Sequence, residues 1–390
     1  MRNVVIVAAA RTPIGRFRGF LGDVRADHLG AAVLNELLRR TGLSAEVVND
    51  VIFGCVTQVG EQCGNIARTS LLSAGWPETI PGMTVDRKCG SAEAAIHTAY
   101  AQIAAGVCEV VAAGGSENMT RVPMGGNRDV HGKPFGWAIN QRFELTSQGE
   151  AAERVADRWG LTRTMLDQFA VDSHARAGHA ADQGWFDREI VPVRIADWSE
   201  NRNFDSSVVF GVDETIRRGS NLEKLATLKT SFRPDGKVTA GNSSQISDGA
   251  SALLLMAEET AHRLGIKTLA RIRAVAVVGS DPTIMLTGPV AATRAVLARA
   301  GLSFSDIDLF EVNEAFASVP LMWMKETGVQ QNRLNVNGGA IALGHPLGAS
   351  GARIMTTLVH ELERRDARRG LQSICCAGGL ATATIIERGV

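Results

Sequence analysis

The chain repeats one order of elements. Val85-Asp86 leads into the turn Cys89-Gly90-Ser91, then into an alanine-rich stretch whose apolar residues Ala92, Ala95, Ile96, Ala99 and Ile103 fall at three-and-four spacing, then into Val110-Val111-Ala112-Ala113-Gly114-Gly115. Much later Val336-Asn337 leads into a glycine-rich turn, a helical stretch through Ile354, Met355, Leu358 and Leu362, and Ile374-Cys375-Cys376-Ala377-Gly378-Gly379. Apolar residues at helical spacing between short apolar runs mark helices laid on a mostly parallel sheet. Occurring twice, the pattern predicts a duplicated α/β domain whose halves pack on each other and bring both turns to one central site. The plainer alternative is that any two α/β halves look alike at this coarseness.

At 390 residues the chain exceeds the usual size of a single domain. Strands are expected at residues 4–9, 51–53, 83–86 and 110–113, with helices at 27–40, after Asn65 and through Ile103. Between 119 and 248, proline, glycine, asparagine and charged residues break the rhythm apart from helical pieces such as 164–183, so this stretch reads as an inserted lobe. Alternation returns with strands at 251–256, 270–278 and 309–312 and a helix at 290–300. The expected organisation is an N-terminal half over 1–118, an inserted loop domain over 119–249 and a C-terminal half over 250–390.

Lys+Arg and Asp+Glu both number 41, so no global field favours nucleic acid or an anionic membrane. The apolar stretch 4–10 ends at Arg11, too short for a signal core or a span, and the chain is expected to be cytoplasmic. The six cysteines, at 55, 63, 89, 108, 375 and 376, have no Cys-x-x-Cys spacing, so neither a metal site nor a disulfide framework is expected.

Cys89 falls at the start of a helix, where unpaired backbone N–H groups and the helix dipole stabilise an anion. A thiol of ordinary pKa about 8.5 is expected to shift toward the reactive thiolate there, although a lone cysteine before a helix is often only structural. The run from Asn335 to Gly348 holds four glycines and places His345 between Gly344 and Pro346, ahead of another helix. A histidine so held can take a thiol proton and then donate to a substrate oxygen. Asn313-Glu314-Ala315-Phe316 follows the strand at 309–312, and Cys375 follows the run 371–374. Functional groups of such sheets collect beyond the carboxyl ends of the strands, which suits all four elements.

Together these segments resemble the thiolase family, and the likeness runs along nearly the whole chain. It takes in Ala10-Arg11-Thr12-Pro13-Ile14-Gly15, Gly64-Asn65-Ile66-Ala67-Arg68, the nucleophile turn at 86–91 and Gly114-Gly115-Ser116-Glu117-Asn118-Met119. It continues through Val238-Thr239-Ala240-Gly241-Asn242, Asp248-Gly249-Ala250, and the Asn-Glu-Ala-Phe, Gly-His-Pro and C-terminal cysteine elements. The resemblance implies a layered fold of two βαβαβαββ-type halves with an inserted loop domain, and a 3-ketoacyl-CoA thiolase activity of the β-oxidation type. It implies Cys89 as the acyl-carrying nucleophile, His345 as its base, Cys375 as the acid and base at the second substrate's α-carbon, and Asn313 as holder of a water that, with His345, meets the enolate oxygen. The backbone N–H groups of Cys89 and Ala377 would face the thioester oxygen. Coenzyme A, a substrate with no further cofactor implied, would run along the middle lobe past Ser244 and Arg217, though Arg217-Arg218 reads equally as a solvated charge pair. A homodimer or tetramer is implied as well.

Three departures bear on the acyl group. Cys89 is followed by Gly90-Ser91-Ala92-Glu93, Cys376-Ala377 replaces the commoner Ile-Gly, and Ser147-Gln148-Gly149 stands where acetoacetyl-CoA-forming members have His-Met-Gly. The missing His-Met pair points to the degradative enzyme over the acetoacetyl-CoA-forming one. A ketosynthase-like condensing enzyme has no second cysteine, against Cys375. A catalytically silent acyl-CoA-binding protein has no need of Cys89, Asn313, His345 and Cys375 together.

Overall fold

The strand β1 (Val4–Arg11) is buried along its whole length. Val5, Val7, Ala8 and Ala10 join an apolar cluster with Leu29, Val33 and Leu37 of the helix Ala26–Thr41. Val4, Ile6 and Ala9 join another with Ala95 and Ile96 of the helix Ser91–Ala104 and Met355 and Leu358 of the helix Ser350–Arg364. A strand covered on both faces has no polar face to alternate with, which is why it reads as one apolar run.

The computed structural model describes residues 2–128, 130–199 and 207–389. Its further strands are β2 (Gly15–Arg16), β3 (Asp50–Gly54), β4 (Gly82–Val85), β5 (Val110–Asn118), β6 (Val193–Arg194), β7 (Val209–Phe210), β8 (Ser247–Ala257), β9 (Ala270–Gly279), β10 (Leu309–Val312), β11 (Arg369–Cys376) and β12 (Leu380–Glu387). Among the described residues no helix is long and apolar enough to cross a membrane.

The duplication is visible strand by strand. The first half runs β1-β8-β5-β3-β4 and the second β9-β12-β11-β10. In each, the first two neighbouring pairs are antiparallel and the third is parallel. The counterpart of β4 is reduced to a parallel bridge between Phe310 and Leu334. There the side chain of Asn335 stands in for the missing strand, accepting from Val312 N at 2.9 Å and donating to Val312 O at 2.9 Å. The two halves meet through β1 and β9, at Val5 opposite Arg271 and Ile6 opposite Ala270.

The helices Ser91–Ala104 and Ser350–Arg364 pack on each other, the first against β3 and β5 and the second against β8 and β11. Their first turns almost touch, since a Cβ on Gly351 would come within 2.3 Å of Glu93 N. Only glycine permits that approach. The segments preceding these two helices therefore open onto the same point.

A boundary at 249/250, expected from composition, cuts through β8. This strand pairs with β1 and β5 and so is the fifth strand of the first half, with the middle stretch inserted ahead of it. The middle stretch carries the helices Gln148–Arg158 and Arg163–Asp182 and the β6-β7 pair. Arg11, at the end of β1 and fully buried, ties it down by bonding Glu189 at 2.7 Å and Asp213 at 2.7 and 2.9 Å.

Candidate active site

Cys89 immediately precedes Gly90, the N-cap of the helix Ser91–Ala104. Its turn is closed by Ser91, whose hydroxyl accepts from Arg87 N at 2.8 Å and donates to Lys88 O at 2.6 Å. Serine at this position thus does local work that a glycine could not. The backbone N–H groups of Ala377 and of Cys89 itself face the sulfur and favour its anion. The sulfur is nevertheless a thiol at rest. Burial outweighs those donors and pushes its pKa up to about 11, reversing the expectation drawn from the helix start alone.

His345 is held at three points. Its N–H is shared between Gln245 O at 3.1 Å and Ser247 Oγ at 2.7 Å, and its Nδ1 lies 2.5 Å from Ser350 Oγ. The Ser350 hydroxyl has one proton and gives it to Pro346 O at 2.8 Å. Ser350 Oγ can therefore only accept from the imidazole, which fixes the proton on Nδ1 and leaves the lone pair on Nε2. Nε2 in turn lies 3.3 Å from Asn313 Nδ2, an amide donor. Burial, with Arg353 nearby, holds the imidazole neutral by lowering its pKa to about 3.

Asn313 follows β10 and is anchored by its N–H to Ser373 O at 3.1 Å, while its Oδ1 is buried with no partner among the described residues. Cys375 and Cys376 both lie within β11, which runs two residues further than the apolar run 371–374 implied, and they point to opposite faces. Cys376 packs with Cys89, Val56 and Leu347. Burial pushes both thiols up, and in each case the nearby Cys89 adds to the effect.

Two cavities open at Cys89. One, of about 150 Å3, is lined by Cys89, His345, Ser244 and Phe316. The other, of about 410 Å3, is lined by Cys89 and Ala377 and by apolar side chains of the middle stretch. Asn313 and Cys375 are not among the side chains lining these two cavities. Arg217 lines a third hollow with His174 and Arg218. Arg218 pairs with Asp182 at 2.7 Å, whereas the Arg217 guanidinium reaches Gln245 Oε1 at 3.4 Å. Gln245 is the residue whose carbonyl accepts from His345, so the arginine and the histidine share one support.

Family models for the thiolase N-terminal domain and the thiolase C-terminal domain match residues 4–259 and 266–388. The chain belongs to the thiolase family. Among its relatives, a thiolase of Klebsiella pneumoniae named 3-ketoacyl-CoA thiolase is 46% identical over 397 residues, covering 100% of both chains. A Pseudomonas aeruginosa relative named acetyl-CoA acetyltransferase is 44% identical over 398 residues, again covering 100% of both. The crystal structure of the Bacillus anthracis acetyl-CoA acetyltransferase superposes with a TM-score of 0.91 at 41% identity, over 99% of each chain. The N-terminal family match ends just past β8, in accord with that strand's pairing.

Sequence reasoning had missed several thiolase residues that hold the site together. Ser350 lies five positions after His345, and Ser247 and Gln245 lie a hundred residues before it in the chain, so only Ser350 was findable by scanning outward from the histidine. Glu117 was legible only as part of a motif. In the structure its buried carboxylate accepts from Val56 N and Thr57 N, both at 2.9 Å, from Gln62 Nε2 at 3.2 Å, and from Gly348 N at 2.8 Å. It thereby fastens the histidine loop of the second half to the strand ends of the first.

Proposed function

We propose that this thiolase is a degradative 3-ketoacyl-CoA thiolase in which Cys89 and His345 perform acyl transfer and Cys375 performs the proton transfer at carbon. The observation that carries the reading is the pairing of a buried thiol with an imidazole whose lone pair is fixed on Nε2, in one cavity. His345 Nε2 takes the Cys89 proton as the sulfur attacks the 3-keto carbon. Backbone N–H groups of Cys89 and Ala377 receive the oxygen that becomes negative. The C2–C3 bond then breaks, the acyl group stays on Cys89, and the electron pair passes to the acetyl-CoA enolate. Its oxygen is met by His345 and by a water held by Asn313, and its carbon takes the Cys375 proton. In the second half-reaction free CoA gives its thiol proton to Cys375 and attacks the acyl thioester, while Cys89 leaves and recovers its proton from His345.

Holding both groups neutral at rest suits this order of events. A permanent thiolate would be exposed to other electrophiles, whereas a thiol that ionises only with substrate in place is spent on the right carbonyl. Ser244 is assigned to the pantetheine arm and Arg217 to the adenosine phosphates, because the first shares the cavity of Cys89 and the second flanks it through Gln245. Coenzyme A is a substrate, so the chemistry calls for no resident cofactor. We further assign the protein to the cytoplasm, as a homodimer or tetramer.

The test is single-turnover labelling with a 3-ketoacyl-CoA. Cys89→Ser should take no acyl label, and Cys375→Ala, started from a simple acyl-CoA, should acylate yet fail to make or break the carbon–carbon bond. Normal turnover in Cys375→Ala would refute the division of labour between the two cysteines.

A further inference from the structure

The two cavities leave Cys89 in different directions. The smaller passes His345, Ser243 and Ser244. The larger, of about 410 Å3, extends from Cys89 and Ala377 between Phe135, Ile139, Leu145 and Met285. At ~30 Å3 for a group the size of a water, close to that of a methylene, this space holds on the order of ten such groups. An acetyl group offers two carbons and would leave most of it filled with water against apolar walls.

Those walls are incomplete without an occupant. Met124, Phe135, Ile139 and Phe232 all line the cavity, yet are 52%, 45%, 37% and 44% exposed. The Ser147-Gln148-Gly149 departure lies on the same wall. Phe232 rests directly on Gly149, where a Cβ would fall within 2.2 Å of its ring, so glycine there lets the ring close onto the backbone as part of the lining. Met285, also in the lining, holds a φ of 23°, a conformation that side-chain-bearing residues rarely adopt. Its turn is fixed to the oxyanion loop by Ser280 N donating to Gly379 O at 2.6 Å. That bond ties the Met285 side of the cavity to the loop that carries the Ala377 donor.

We infer that the larger cavity is the acyl subsite and that it selects a 3-ketoacyl-CoA with a large apolar acyl group, of about eight carbons or more. This rests on the thiolase reading above and names its substrate class. A linear chain and a fused ring share the chemistry the cavity recognises.

The experiment is CoA-dependent thiolysis by the full-length protein of acetoacetyl-CoA, 3-ketodecanoyl-CoA and a 3-ketoacyl-CoA bearing a fused saturated ring. One methylene seated in an apolar pocket already discriminates by about tenfold, so kcat/KM should be at least about tenfold higher for one of the two large substrates than for acetoacetyl-CoA, and which of them leads separates chain from ring. Two filling variants, Leu145→Trp and Ile139→Trp, should each cut that ratio about tenfold. Acetoacetyl-CoA as the best substrate, or a ratio untouched in both folded variants, overturns the inference and leaves the thiolase reading standing. No turnover of any of the three substrates, with no acyl label on Cys89, overturns the thiolase reading and the inference with it.

Discussion

Replacing Ser350 by alanine removes one oxygen, 1% exposed as a residue and touching no substrate-facing surface, and should nonetheless slow acyl transfer. The Ser350 hydroxyl is committed as a donor to Pro346 O at 2.8 Å and accepts from His345 Nδ1 at 2.5 Å. Without it the buried Nδ1–H has no partner, at a cost of about 1–3 kcal/mol. The imidazole can escape that cost by moving its proton to Nε2, which removes the lone pair that takes the Cys89 proton. The same free energy therefore appears as a loss of about fivefold to about 150-fold in the rate of Cys89 acylation. That rate is followed as the single-turnover burst with an acyl-CoA. Ser350 is a positioning residue, so a readout beyond stability is needed. Ser350→Thr, which keeps the hydroxyl, should restore the burst, and the pH profile of the burst should move in Ser350→Ala because the proton is no longer fixed on Nδ1. A folded Ser350→Ala protein acylating within twofold of the wild type would show that something else orients the imidazole.

Two further outcomes follow from the same geometry. With the Cys89 pKa near 11, alkylation of the free enzyme by iodoacetamide at Cys89 should quicken about tenfold per pH unit from pH 7 to pH 10, because the thiolate fraction does; a rate that levels off below pH 9, measured by mass spectrometry of the Cys89 peptide, would mean a standing thiolate. Glu117→Gln should cost about 2 kcal/mol or more, because whichever oxygen becomes the NH2 group leaves two donors unmatched. It should appear as a lower urea midpoint at unchanged m, with kcat falling as well since Gly348 anchors the His345 loop.

The two halves and their shared order were readable because they rest on local patterning: three-and-four spacing in the central helices and unbroken apolar strands buried on both faces. Cys89 and His345 were readable as candidates because each precedes such a helix. The state of the thiol was not, since the helix start is local whereas the burial that outweighs it comes from packing against Leu347 and Cys376 of the other half. The role of Ser350 depends on a single proton committed elsewhere, which no residue pattern encodes. The expected boundary at 249/250 falls inside β8 because composition changes there while the strand's hydrogen bonds continue. The acyl cavity was invisible because its lining is drawn from separate stretches with no common motif.

The duplication also explains why the site is lopsided. By sheet position β4 corresponds to the Leu334 bridge, β3 to β10 and β5 to β11. The segments after the first pair carry Cys89 and His345. After the second pair come Val56 and Thr57 on one side and Asn313 on the other, and at the ends of the third come Glu117 and Cys375. A fully symmetric site would place ionisable groups from both halves around one sulfur. A carboxylate free to face Cys89 would raise its pKa further, as Glu117 already does to a small degree. The first half avoids this by turning Glu117 onto Val56 N, Thr57 N and Gly348 N, so that its strand ends become scaffold for the partner loop. The second half is then free to supply the base, the amide and the second thiol. On this reasoning the nucleophile's own half tolerates little change at Glu117 for reasons of geometry, whereas changes at Asn313 or Cys375 should leave the fold intact and alter only the carbon chemistry.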